Sequence, residues 1–121
     1  MVEKLMEEEN SLFGKCPFVT AHKIFSGKWT ILIIYNLCEG TLRFNELQKK
    51  IFAVTQATLT KQLRILENYG MIKRKIYAEV PPKVEYSLTE IGKEFFPILK
   101  QFENFGYKYI NYLKDNKGVN Y

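Results

Sequence analysis

The chain has 121 residues, 46% of them hydrophobic, with nine Phe, eight Tyr and one Trp; that is one globular domain with a modest core, not a disordered chain. No apolar run approaches the roughly 20 residues of a membrane span, and the acidic N-terminus has no signal-peptide pattern, so a soluble cytoplasmic protein is expected. The net charge of +5 is uneven, since residues 1–10 hold one Lys and four Glu while residues 43–83 hold nine Lys/Arg and three Asp/Glu; a focused basic segment is the electrostatic footprint of a polyanion-binding surface, although solvated surface charge produces the same count.

Residues 1–15 read as a flexible acidic arm, 16–113 as the folded domain and 114–121 as a tail. Cys16-Pro17 opens the domain, with Pro17 suited to the first position of a helix. Phe18, Ala21, Ile24 and Phe25 give a short apolar periodicity that Gly27 ends. Residues 28–38 are apolar nearly all round, which fits a central buried helix. A buried strand competes, given three Ile, but length and position favour the helix. Trp29 and Cys38 are expected in its core. Thr41-Leu42 is a short extended piece. Residues 43–51 form an amphipathic helix, with Phe44, Leu47 and Ile51 inward and Lys49 and Lys50 outward. Arg43, at its start, either braces the fold or touches phosphate, and bracing is favoured.

Phe52-Ala53-Val54 turns the chain into its most informative stretch, 55–70. Thr55 is a good N-cap, and Gly70 fits the residue just past a helix end. Leu59, Leu63 and Leu66 fall on one apolar stripe. The opposite face carries Ala57, Lys61, Arg64 and Asn68, with Thr58 at its edge. Such a helix is about 21 Å long. Small residues near its start allow close approach to DNA, and Lys and Arg meet phosphates or guanine edges. The order is helix, turn, helix, with the second helix basic on its exposed side.

Residues 71–77 and 84–88 are β-compatible, the second run alternating apolar and polar. Pro81-Pro82 stiffens the connection between them. The pair reads as a two-stranded wing whose Lys73, Arg74, Lys75 and Lys83 are candidates for phosphate, without settling which of them points outward. Thr89 then caps a last helix, with Glu90 at its positive end. Ile91, Phe95, Ile98, Phe102, Phe105, Tyr109 and Leu113 make one stripe, widened by Phe96, Tyr107 and Ile110. Pro97 is expected to kink this helix. So many aromatics exceed what one small domain covers, which points to a dimer interface.

The fold class is therefore α+β, mainly α: a winged helix-turn-helix DNA-binding domain with extra N- and C-terminal helices, the C-terminal one forming a dimer interface. The helix-turn-helix spans about 43–69, the wing about 71–88 and the dimerisation helix about 89–113. The single His and the two Cys offer no metal spacing, and neither paired carboxylates nor a phosphate-binding glycine loop is present. No catalytic residue, metal or cofactor is expected. The candidate DNA-binding residues are Gln56, Ala57, Thr58, Thr60, Lys61, Arg64, Lys73, Arg74, Lys75 and Lys83. The partners are a pseudo-palindromic double-stranded operator and a second copy of the chain. A winged helix used only for protein interaction is the alternative, and it predicts an acidic or neutral recognition face.

Over roughly residues 16–110 the sequence resembles the HxlR-type family of bacterial and archaeal winged-helix transcriptional regulators, relatives of MarR. The marks are Cys16-Pro17, Gly27-Lys28-Trp29-Thr30, Arg43-Phe44 with Glu46-Leu47, Leu59-Thr60 with Leu63-Arg64, the run Glu79 to Thr89, and Gly92. The resemblance implies a homodimer joined through N- and C-terminal helices, recognition helices in major grooves and wings on the adjacent minor groove or backbone. Two positions depart from the pattern. Ser26 stands where a second glycine often precedes Gly27, and Ala53 stands where a glycine often precedes the recognition helix, so the turn is expected to differ slightly. Cys16 corresponds to a cysteine with which some members sense oxidants or electrophiles; the other reading is a small buried residue.

Overall fold

The computed structural model describes residues 11–116. Pro17–Ile24 (α1) and Lys28–Leu37 (α2) precede a two-residue strand, Leu42–Arg43 (β1), and the helices Phe44–Lys50 (α3) and Gln56–Asn68 (α4). The strands Ile72–Tyr77 (β2) and Lys83–Leu88 (β3) follow, then a short helix, Glu90–Lys93 (α5), and a long one, Phe96–Asp115 (α6). The sheet is antiparallel with order β1-β3-β2. This is the winged helix-turn-helix arrangement, mainly α with one small sheet.

The core is built around α2 and α4. Residues 28–37 are helical, and Ile33, Ile34 and Leu37 are buried on the face toward α4. Thr30, buried beside them, donates its hydroxyl to the Gly27 carbonyl at 2.7 Å. Leu47 of α3 and Ile51 and Val54 of the turn close the core from one side. Ile72, Leu88, Phe95 and Leu99 close it from the other. Trp29 and Cys38 lie at the edge of this core, half-buried, rather than inside it. Burying one leucine is worth about 1.5–3 kcal/mol, so the three leucines of α4 hold it in place far more firmly than helix propensity does.

The turn between α3 and α4 keeps a left-handed residue without a glycine: Ala53 has φ 67°. Alanine rather than glycine at this φ puts strain into the turn. Leu12 to Lys15, read as part of the arm, are tied to the domain. The Leu12 carbonyl accepts from the Cys16 amide at 2.8 Å, the Gly14 amide donates to Thr20 Oγ1 at 2.8 Å, and the Phe13 ring lies 6.1 Å from that of Tyr69. The remainder of the arm, residues 1–10, and tail residues 117–121 lie outside the described part.

The C-terminal stripe departs from expectation. One kinked helix was anticipated; the chain instead breaks after Lys93 and restarts at Phe96. Pro97 sits in the first turn of α6, where a helix has no hydrogen bond for it to remove. Phe95 and Leu99 are the residues that enter the core, Phe95 by stacking on Phe25 with centroids 3.5 Å apart. Ile91, Ile98, Phe102, Phe105 and Tyr109 stay exposed, as do Phe96, Tyr107 and Ile110 on the other flank of the buried line.

Candidate nucleic-acid interface

Local chemistry fixes both ends of α4. The Thr55 hydroxyl accepts from the Thr58 amide at 3.1 Å, satisfying one of the orphan donors at the start. At the other end Gly70 has φ 76°, the Met71 amide bonds back to the Leu66 carbonyl at 3.0 Å, and the Gly70 amide bonds to Glu67 at 3.0 Å. These are the paired bonds of a Schellman motif. Leu59, Leu63 and Leu66 point inward. Their burial leaves Gln56, Ala57, Lys61, Arg64 and Asn68 exposed, with Thr58 and Thr60 half-exposed. A shallow open groove runs along this face, lined by Thr55, Gln56, Ala57, Thr60, Lys61, Arg64, Ile65 and Asn68. The Thr60 hydroxyl donates to the Gln56 carbonyl at 2.8 Å, so its proton is used within the helix. No carboxylate lines the groove.

The register of the wing settles which cations share a face, because cross-strand partners lie on the same side of a sheet. Lys73 pairs with Ser87, Lys75 with Glu85 and Tyr77 with Lys83, while Arg43 of β1 stands on the far side of Glu85. Lys83 Nζ lies 2.9 Å from Glu85 Oε1, and the Tyr77 hydroxyl donates to Glu85 Oε2 at 3.2 Å. The ammonium groups of Lys75 and Lys83 rest over the Tyr77 ring at 4.8 and 4.6 Å. The hydrogen bond from Lys83 holds the Glu85 carboxyl below its usual range, with Tyr77 and Arg43 adding to this and desolvation opposing it. Lys83 is thus committed within the wing. Arg74 points to the other face, toward α4, where its Nε lies 3.4 Å from Glu67 Oε2. Lys73 and Lys75 are exposed and held by no carboxylate among the described residues.

Arg43 braces the start of α3 through its backbone. Its amide donates to Glu46 Oε1 at 2.9 Å, half of a capping box at the start of α3, and its side chain sits beside Glu85. The Glu67–Arg74 pair was not foreseen in the sequence. Opposite charges flanking the Gly70 turn were its signal. Lys83–Glu85, two residues apart in one strand and so on one face, was the clearer signal of the two.

The cysteines differ. Cys16 flanks the start of α1, half-buried, with its carbonyl accepting from both the amide and the hydroxyl of Thr20 at 2.9 and 2.7 Å. For Cys38, burial pushes the thiol pKa up, against the pull of Lys100 and with the help of Glu39. Its thiol is therefore protonated at neutral pH and a weak nucleophile.

Comparison with known proteins agrees with this geometry. The uncharacterized HTH-type transcriptional regulator YdeP of Bacillus subtilis strain 168 is 46% identical over 97 residues, 80% of this chain and 76% of that protein. The reduced form of the redox regulator HypR superposes with a TM-score of 0.77 at 39% identity, covering 83% of this chain and 99% of that one. The reduced form of the transcriptional regulator YodB from B. subtilis gives a TM-score of 0.67 at 31% identity, with 74% and 89% covered. The family described as HxlR-like helix-turn-helix matches residues 24–114. The relatives are transcriptional regulators rather than enzymes, and the chain belongs to the HxlR-like helix-turn-helix family of transcriptional regulators.

Proposed function

We propose that this protein is a homodimeric, sequence-specific DNA-binding regulator, acting as a repressor or dual regulator. The observation that carries the reading is the exposed face of α4: basic, free of carboxylates and capped at both ends. Gln56, Ala57 and Thr58 line its approach to the major groove, with Thr60, Lys61 and Arg64 along the base edges and phosphates. Lys73 and Lys75 supply the wing's contacts to the backbone. Lys83 and Arg74, each engaged by a carboxylate, are left out of that set. The exposed apolar face of α6 supports pairing of two copies. Two-fold symmetry then places half-sites of a pseudo-palindromic operator about 34 Å apart.

Cys16 is the residue proposed to answer oxidants or electrophiles. The protonated state of Cys38 supports this choice, as does the likeness to HypR, a redox regulator by name. The test is selection of bound duplexes from a random pool with reduced protein, repeated after mild oxidation. Enrichment of a two-fold symmetric motif is expected, lost on oxidation in the wild type and retained in Cys16→Ser. Salt-sensitive binding with no enriched motif would turn the assignment toward a protein-interaction module. Enrichment that oxidation leaves unchanged would remove Cys16 from it.

A further inference from the structure

We infer that Arg74 is a positioning residue, whose guanidinium, held by Glu67, ties the wing to the recognition helix instead of meeting a phosphate. The inference rests on the DNA-binding reading above and assigns one residue within it.

Four groups meet at the junction of α4 and the wing. Glu67 lies one turn after Arg64 on the helix, and Arg74 stands directly opposite Tyr86 on the ribbon. Arg74 Nε is 3.4 Å from Glu67 Oε2. The Arg74 guanidinium, Glu67 and Arg64 all lie within electrostatic range of the Tyr86 hydroxyl. Burial pushes the Tyr86 pKa up, so it remains a neutral hydrogen-bonding group. The two charges thereby close a link, with the Tyr86 hydroxyl beside it, between elements that the chain joins only through the Gly70 turn.

The position of the link along the ribbon gives it leverage. At the base, Ile72 and its partner Leu88 are buried in the core. Arg74 and Tyr86 form the next pair on that face. Beyond them the same face carries Ile76, 63% exposed, opposite Val84. Arg74 is thus the last inward tie before the ribbon projects. Lys73 and Lys75 lie on the opposite face, so their reach toward a DNA backbone depends on the angle this tie sets. The pairing also occupies Glu67, which would otherwise compete with DNA for Arg64 three residues before it.

The test measures affinity for the selected operator across a salt series. The proteins are wild type, Arg74→Gln, Glu67→Gln, the double variant, and the swapped pair Glu67→Arg with Arg74→Glu. A tie predicts that Arg74→Gln weakens binding by about two- to fivefold, the range of a half-exposed ion pair, with the salt slope unchanged. The double variant binds no worse than either single one, and the swapped pair recovers wild-type affinity. A phosphate contact predicts instead that Arg74→Gln lowers the slope by about one and that the swap binds worst; that result overturns the inference. Variants that melt earlier yet bind as wild type overturn it as well, since the pair would then serve stability alone. Wild-type protein that binds no duplex defeats the DNA-binding reading first, and is recognised before any variant is compared.

Discussion

Gly92 has no room for a methyl group. A Cβ there would overlap the carbonyl oxygen of Met71 and touch Leu88 Cδ2 at 3.4 Å. The same carbonyl accepts from the Thr89 amide at 3.1 Å, while the Thr89 hydroxyl donates to Gly70 and accepts from the Gly92 amide. The start of α5 is clasped to the end of α4 through this one close approach. Gly92→Ala is expected to lower stability by about 1–3 kcal/mol through overpacking, read as an earlier urea midpoint; an unmoved midpoint would mean that α5 slides away at no cost. Ala53 is the opposite case. A left-handed alanine is strained by about 1–2 kcal/mol, and part of what glycine relieves is returned as unfolded-chain entropy. Ala53→Gly is therefore expected to stabilise by about 1 kcal/mol, and a lower melting temperature would count against strain at this turn.

Among the elements, α4 was the most legible in the sequence because its signals are local: a hydroxyl cap at Thr55, leucines at helical spacing and a glycine at the left-handed position. The wing was legible as a ribbon but not by face. Lys73, Arg74 and Lys75 alternate sides of β2, and only pairing with β3, set by contacts across the Pro81-Pro82 connection, decides which side is which. The break before α6 was hidden because the apolar spacing runs on through Ile91, Phe95 and Ile98 while the backbone interrupts it. Leu99 was missed as a core residue for the same reason. Of the candidate contacts, the α4 set rests on burial that the structure displays; the pairing of Arg74 was obscured because Glu67 is brought near only by folding, whereas Glu85, two residues from Lys83 in one strand, could be read directly. Arg64 carries the sharpest expectation. Its replacement by Ala should weaken operator binding by about 1–3 kcal/mol if it reads a base pair, with relaxed preference at that position. Equal affinity for intact and altered operators in wild type and variant alike would take Arg64 off the contact list.

At the scale of the whole molecule, α6 is a helix without enough protein against it. It is 20 residues long, and Leu99 alone is buried along it. Eight of its large apolar side chains are exposed, Phe102 and Phe105 at 55% and 57% among them. A second copy laid against this face would cover them, and a charge placed in the middle of it would be desolvated without a partner. Phe105→Glu is expected to sediment as a monomer where the wild type sediments as a dimer; a wild type that is monomeric at micromolar concentration would refute pairing through α6. Pairing of this kind has a consequence for how the protein lives in a cell. If a twin finishes α6 in this way, each subunit gains stability from the other by mass action, and the melting temperature should climb with protein concentration. Scarce copies would be the fragile ones, open to proteases through the very surface that abundant copies hide, and occupancy of an operator would rise with the square of abundance until the pairs are saturated.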